Sequence, residues 1–426
     1  MTSLNVIIVG GGIGGLSAAI ALRRGGHKTT VYEKKEFKGA AGSGIAVSPR
    51  AAELLRHLGI PFDKARLNPL HHFRLVRGDN LEVISATDPT SASTPENPQR
   101  MAHRWELHEA LVQVAKDPSG PGIPCELIAP VGVTDFDPEA GSVTLVDGTV
   151  KTADLVIAAD GVWSKAIDIT QGHPCTITRT PTTTLHSQVP VKQIKEDPET
   201  APLLELGEGT STGSISPDQS HFFMRFWCEG DEFVSINLVT VWDVDLHTKG
   251  SEFKPTKHTL KERMSAFHSS LLKLVDMIPE DEVLPVWNFV KRDRGDKYNK
   301  GCLVGLGDAA HAMLPFTGHG ACTAIQDAVA LQVLLSELPS ADKAVIEERL
   351  ELYNKLQQPR GSVVQLYSDV PPWINSVGLQ EEQALKYLPK EKLPKEQHDL
   401  GVWLEEFYVI EESKALLKEH LSKTSL

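Results

Sequence analysis

The stretch that decides the fold is Asn5-Val6-Ile7-Ile8-Val9, followed at once by Gly10-Gly11-Gly12-Ile13-Gly14-Gly15. The first half is an apolar, β-branched run that suits a buried strand. The second contains G-x-G-x-x-G at Gly10, Gly12 and Gly15. Leu16, Ala19 and Ile20 then recur at helical spacing, and a short run from Thr29 to Tyr32 ends on Glu33. The order is strand, glycine turn, helix, strand, acid, and each part has a physical reason. Gly10 allows the sharp turn, Gly12 lets the backbone approach a pyrophosphate, and Gly15 lets the helix sit close on the strand. The helix N-terminus favours phosphate charge. Glu33 falls roughly 20 residues on, where a carboxylate reaches a ribose hydroxyl. A glycine-rich turn without a ligand has no use for that acid, so the stretch predicts a dinucleotide site.

Two more strands end in the same manner. Ala153 to Ala159 is apolar and closes on Asp160-Gly161, with Ser164 just behind. Cys302 to Leu306 closes on Gly307-Asp308-Ala309-Ala310-His311, and the loop Leu314 to Gly320 feeds a helix from Ala321 to about Leu338. Ligands of open α/β sheets bind at the carboxyl ends of strands. The amides of Gly318, Gly320 and Ala321, with the helix dipole, suit negative charge on a flat ligand. Between the first and second strands of this set, Gly42 to Val47 is a small-residue segment: it either lets a flat group lie on backbone at Gly44 and Ala46 or is a flexible turn. Lys34 to Gly44 reads as a loop, Ala51 to Leu58 as a helix capped by Gly59, and Phe73 to Val83 as a hairpin around Gly78-Asp79-Asn80. Asp88 to Pro98 reads as an exposed loop. A helix opens at His103-Arg104, where Arg104 either pairs with an anion or is solvated. His103 and His108 are five apart, not at metal-pair spacing, and read as structural. Glu126 to Asp137 and Ser142 to Val146 read as strands, with a hairpin turn at Asp147-Gly148.

From Cys175 the texture changes to alternating runs, notably His221 to Trp227 and Phe233 to Val241, joined at Cys228 to Glu232. These predict a separate antiparallel sheet. Leu260 to Met277 reads as one amphipathic helix stopped by Pro279, Ala344 to Tyr353 as another, with a break at Pro371-Pro372, and Leu400 to His420 as a last helix. The expected organisation is an α/β Rossmann-like nucleotide domain, with an inserted antiparallel-sheet domain and C-terminal helices. Its segments are 1–75, 99–175 and 285–370 for the nucleotide domain, 76–98 for the hairpin and loop, 176–284 for the sheet, and 371–426 for the helices.

A chain of 426 residues needs more than one small core. A net charge of -13 argues against nucleic acid or an anionic membrane as the main partner. Five cysteines are scattered, an odd number without Cys-x-x-Cys, which points to a reducing, cytoplasmic setting. The start does not read as a signal peptide, and no apolar run is long enough to span a bilayer. His311 and His319 stand apart from carboxylate or cysteine partners in the sequence, so no metal site is expected.

These three nucleotide-site strands, in this order, resemble the group A flavoprotein monooxygenases, the single-component aromatic hydroxylases, and most of all their salicylate-hydroxylase-like fungal members. The motifs that carry the resemblance are Gly10 to Gly15 with Glu33, His103-Arg104 to Leu111, Asp160-Gly161 with Ser164, Gly307 to His311 through Asp327-Ala328, and Tyr353, Pro359-Arg360, Val364-Gln365, Ser368 and Trp403-Leu404. The resemblance implies a glutathione-reductase-type FAD domain. It implies FAD with its pyrophosphate at Gly10, Gly12 and Gly15 and its ribose at Glu33. Arg104 and Asp308 would hold the diphosphate-ribitol part, and Gly44, Ala46, Gly318, Gly320 and Ala321 would flank the isoalloxazine. The Asp160 strand would serve both FAD and NAD(P)H. The implied reaction is reduction of the flavin by NAD(P)H, addition of O2 to give a C4a-hydroperoxide, and hydroxylation or epoxidation of an aromatic or heteroaromatic small molecule in secondary metabolism. The same fold would also serve a flavin oxidase or dehydrogenase, or a non-catalytic escort protein. The sequence leaves the oligomeric state open.

The chain departs from the family pattern at several places. Gly318-His319-Gly320 replaces Gly-Gln-Gly, Ile167 stands where an arginine follows Ser164, His186 stands for an arginine before Val189-Pro190, and Phe222-Phe223-Met224-Arg225 replaces Tyr-Pro-x-Arg. The usual Arg/Tyr pair for a phenolate is therefore missing. His186 and Arg225 become the candidate catalytic groups, if their side chains face the flavin ring rather than turning away or merely satisfying a loop. Phe222, Pro315 and Phe316 are the candidate substrate contacts.

Overall fold

The computed structural model describes residues 2–37, 43–87, 96–228, 230–242, 254–371, 374 and 376–424. Parts of the expected loops at 34–44 and 88–98, the joint at 228–232 and the Pro371-Pro372 break thus lie outside the described residues. Asn5–Val9 is the centre of a six-stranded sheet. Lys28–Tyr32 and Glu126–Ile128 lie to one side, and Leu155–Ala158, Leu303–Gly305 and Asn299–Lys300 to the other. All pairs are parallel except the last. The three strands that end in glycine and acid are therefore neighbours, and their carboxyl ends point the same way. Alternation divides their side chains. Val6 and Ile8 pack on the helices Ile13–Arg24 and Gly320–Leu334, while Ile7, Val9, Val156 and Ala158 meet Phe136, Val143 and Leu145 of a three-stranded sheet. Each large aliphatic side chain so buried contributes about 1.5–3 kcal/mol.

A seven-stranded sheet forms the second layer, in the order Val286–Arg292, Ile177–Pro190, Phe233–Val241, His221–Trp227, Thr210–Ile215, His72–Arg77, Val83–Thr87. One of its faces is closed by the helices Lys257–Arg263 and Ser269–Asp276, which cover Leu185, Val189, Phe223, Trp227, Ile236 and Leu238. The other face looks toward the nucleotide sheet.

Three expected elements divide. The run Leu260 to Met277 is two helices, because His268 ends the first path: its N–H donates to Gly78 O at 2.7 Å and its Nδ1 accepts from Ser270 N–H at 3.3 Å. Leu400 to His420 is also two, Leu400–Glu405 and Val409–Thr424. There the carbonyls of Trp403 and Leu404 accept from Arg360, at 3.0 and 2.9 Å, and Glu405 O accepts from Arg50 at 3.3 Å. Side chains thus take the carbonyls that a continuing helix needs. Glu126 to Asp137 is split between two sheets around Pro130 and Gly132. In the opposite sense, Ala344 to Tyr353 is only part of a helix Lys343–Ser368 that runs through Pro359. No described helix is long and apolar enough to cross a membrane.

Candidate active site

At the first turn the glycines take up the roles that their spacing requires. Gly10 has φ +104°, and a Cβ there would stand 2.3 Å from Ala159 O. Gly15 lies behind the turn: a Cβ would stand 2.0 Å from Gly10 O, so its lack of a side chain lets helix and strand approach. A Cβ on Gly12 meets nothing within 4 Å and would project into open space. Glu33, at the end of the next strand, accepts from Gly11 N–H at 2.7 Å and from Lys35 N–H at 2.9 Å, which fixes its carboxylate beside the turn. His108, a structural histidine as its spacing from His103 predicts, lies 2.7 Å from Gly11 O through Nε2 and pins the turn from the helix Arg104–Lys116. Burial pushes its pKa down.

The open space is one cavity of about 1330 Å³ running from this turn to the seven-stranded sheet. That is more than a single small ligand usually occupies. Its near end is lined by Gly10, Gly12, Glu33, Lys34, Arg104, Asp160, Gly161, Gly307 and Asp308. Asp160 is half-buried, its inaccessible Oδ1 lacks a hydrogen-bond partner, and desolvation pushes its carboxyl up. Asp308 is a cavity-lining, solvent-accessible side chain; desolvation raises its carboxyl too, against the opposing charges of His311 and Arg104. The middle is flanked by Ser43, Gly44 and Ala46 on one side and by Pro315, Phe316, Gly318, Gly320 and Ala321 on the other. Gly318 has φ +67°, the left-handed conformation that favours glycine. Gly44 is small for a reason the sequence did not disclose: the tip of the Phe226 ring abuts it, and a Cβ would come within 1.9 Å of that ring.

The far end is the open face of the sheet. Along His221–Trp227, Phe222, Met224 and Phe226 face the cavity, and Phe223, Arg225 and Trp227 face the helices. Arg225 is thus not a cavity residue. It sits among Leu203, Leu204, Thr212 and Val234, its Nη1 lacks a partner, and burial lowers its pKa to about 10. His186 is on the cavity face, opposite Asn237 in register, but lies outside the lining, close to His103. Burial, then the nearby His103, lowers its pKa to about 4, and its Nε2 has no partner. At neutral pH it is an uncharged imidazole, not a cation for an ionised ligand. Of the two, Arg225 turns away from the cavity, whereas His186 shares the cavity face without lining it. Phe222, Pro315 and Phe316 do line the cavity, and Phe316 meets Phe289 edge-on at 5.8 Å.

Buried pairs brace the turns. His311 is not isolated: its Nε2 lies 2.7 Å from Asp327 Oδ2, which also accepts from Gly307 N–H at 2.9 Å. The charge of Asp327 raises the His311 pKa against its burial. His319 is 3.2 Å from Glu405. Neither pair makes a metal site, and among the described residues no cluster of three or more such ligands occurs. The turn after Asp160 lacks its sequence-local arginine at Ile167, yet Arg292 reaches it from the sheet and donates to Val162 O at 2.7 Å, Ser164 O at 2.6 Å and Asp168 at 2.8 Å. Sequence reasoning missed Arg292 and the lining residues Asn237, Met224 and Trp287. Only Met224 carried a signal, through alternation with Phe222.

Residues 3–364 match the family model described as FAD binding domain. The FAD-dependent monooxygenase cfoG of Aspergillus candidus is 30% identical over 428 residues, covering 98% of this chain and 96% of its own length. Hispidin-3-hydroxylase of Neonothopanus nambi is 30% identical over 376 residues, covering 85% and 87%. Among solved structures, CtdE in complex with FAD and a substrate aligns with a TM-score of 0.79 at 19% identity, over 99% of this chain and 100% of that one. A salicylate hydroxylase substrate complex aligns at 0.73 with 22% identity, over 98% of each. Those two show a shared fold. With the family model spanning most of its length and a 30% identical relative aligned nearly end to end, the chain belongs to the FAD binding domain family, among its FAD-dependent monooxygenases.

Proposed function

We propose that the protein uses FAD, NAD(P)H and O2 to insert one oxygen atom into an aromatic or heteroaromatic small molecule. The observation that carries this reading is the single cavity joining a pyrophosphate-type glycine turn to an aromatic sheet face. The residues present fit FAD. Gly12 leaves room where a Cβ would stand, and the buried Asp160 Oδ1 lacks a partner. The amides of Gly10 and Gly11 donate to Tyr32 O and Glu33, so it is the N-terminus of the helix Ile13–Arg24, from Gly12 on, that suits a pyrophosphate. Gly10 and Gly12 would hold that group, with Gly15 allowing the helix to stand behind it, and Glu33 would take the ribose. Arg104 and Asp308 would hold the diphosphate-ribitol part, one as a cation and one as an acceptor. Gly44, Ala46, Gly318, Gly320 and Ala321 would bracket the ring system.

When bound and reduced by NAD(P)H, FAD supplies the activated oxygen, and the protein's task is to orient the ring, exclude water and place charge. The helix Gly320–Leu334 points its N-terminus at the middle of the cavity, where its dipole stabilises negative charge. Phe222, Pro315 and Phe316 would hold the substrate ring against the cofactor. No side chain of this cavity is required as a nucleophile. The test is the flavin spectrum of the purified protein, then NAD(P)H consumption across a panel of phenols, indoles and related aromatics, with mass spectrometry for one oxygen from labelled O2. Peroxide formation without oxygenated product for every member of the panel would overturn the reading in favour of an oxidase.

A further inference from the structure

The two ends of the cavity differ in charge. Among the described lining residues the charged side chains are Glu33, Lys34, Arg104, Asp160, Lys165 and Asp308, and all six belong to the nucleotide half. The sheet end is built from Phe73, Phe222, Met224, Val239, Phe289 and Phe316. Its polar side chains are neutral, and among them Asn237 is fixed in orientation. The amide oxygen of Asn237 accepts from Ser43 Oγ at 2.7 Å. Ser43 precedes Gly44 in the segment that flanks the middle of the cavity, so this bond ties that segment to the sheet. With one lone pair of its oxygen engaged by Ser43, Asn237 keeps both N–H donors of its amide for a ligand.

We infer that the substrate is an uncharged, multi-ring aromatic molecule carrying a carbonyl or similar oxygen acceptor, which the amide N–H of Asn237 receives. This rests on the proposed function for the identity of the site and extends it to the class of substrate. An apolar wall stabilises fused or linked rings by burial. The same wall penalises a carboxylate or phenolate, whose solvation is lost without a cation in return. His186 does not supply that cation, because burial keeps it neutral, and Arg225 faces away. Asn237 gives the orientation that a purely apolar wall cannot, since a held donor in such surroundings discriminates against a ligand that leaves it unpaired.

The test uses the FAD-loaded protein and three matched tricyclic probes: fluorene, fluorenone and a fluorenone carboxylate. Affinities are read by calorimetry and by perturbation of the flavin absorbance. Fluorenone is expected to bind at least about tenfold tighter than its carboxylate and about threefold or more tighter than fluorene. Asn237→Leu should erase the preference for fluorenone over fluorene while flavin content stays that of the parent. Ser43→Ala is the second variant, and it should reduce the same preference by freeing the amide to rotate. A carboxylate that binds as tightly as fluorenone overturns the inference, as does an unchanged ketone preference in the folded variants. Failure of oxygen transfer with the neutral preference intact would sink the proposed reaction and leave this inference standing. Oxygen transfer to a carboxylated ring in preference to its neutral partner would do the reverse.

Discussion

The turn Gly10–Gly15 and the strand His221–Trp227 both border the cavity, but they reach it by different means. At the turn the ligand space is set by backbone: each glycine has one job, visible as a collision or as an empty direction. On the strand it is set by side-chain parity. Phe222, Met224 and Phe226 face the cavity, and Phe223, Arg225 and Trp227 face the helices. A backbone site tolerates almost no change of residue, whereas a parity site tolerates any exchange that leaves the same side facing in.

The largest expected effect breaks this contrast within the turn itself. Gly15→Ala places a carbon 2.0 Å from Gly10 O, a backbone atom that cannot move aside, and we expect a loss of about 3 kcal/mol or more with poor soluble yield. Gly12→Val, three residues away, projects into open space and should leave the melting temperature of the apoprotein nearly unchanged while FAD retention is lost. Equal thermal melts for the two variants would erase the distinction between a packing glycine and a ligand glycine.

Next comes His186. Its folded pKa, about 4, lies below the unfolded reference of about 6.5, so the unfolded chain binds the extra proton first. The stability that goes with a neutral His186 is present in full above about pH 6.5 and falls as pH drops toward 4. The loss reaches about 3 kcal/mol. Denaturant titrations at pH 7, 5.5 and 4.5 should show that slope in the parent and a shallower one in His186→Leu. The pH–rate profile should carry no His186 limb between pH 5 and 8; a limb near 6.5 that His186→Leu abolishes would return this side chain to the chemistry.

At the near end of the cavity, Asp308→Ala and Arg104→Ala should each weaken FAD by about 1–3 kcal/mol, one charge-assisted hydrogen bond apiece. Flavin retention during dialysis reads this directly. Parent-like affinity in both variants would leave the glycine turn as the main anchor.

The smallest effect is expected at Arg225. Its guanidinium is buried without a partner on the helix side, so Arg225→Met should leave FAD content and KM within about twofold and stability unchanged or raised. A large rise in KM would mean that parity is not what decides which side chains of this strand serve the site.

Much of the nucleotide half was legible from residues close together in the chain. Three strands end on glycine or aspartate, a helix follows, and Glu33 stands at the next strand's end; these are local requirements of backbone geometry and helix dipole. The nucleotide-binding fold class followed from them; the family came from the resemblance that these and the later motifs carry together. The braces of these turns were not legible, because each comes from far away. Arg292 braces the turn after Asp160 through Val162 O, Asp327 meets His311, and His108 holds Gly11 O. Helix lengths failed for a related reason. The carbonyls of Trp403 and Leu404 are taken by Arg360, more than forty positions earlier, and local periodicity carries no trace of that.

The sequence by itself determined that this chain folds around a dinucleotide turn and where that turn lies, since glycine spacing and strand hydrophobicity act within a few residues. It also supplied the alternating pattern of the second sheet. Only the tertiary structure decided which half of that alternation meets the ligand. A period of two defines two faces without naming the inner one; the helices that cover Phe223 and Trp227 choose, and in doing so they leave Phe222, Met224 and Asn237 to the cavity and take Arg225 away from it.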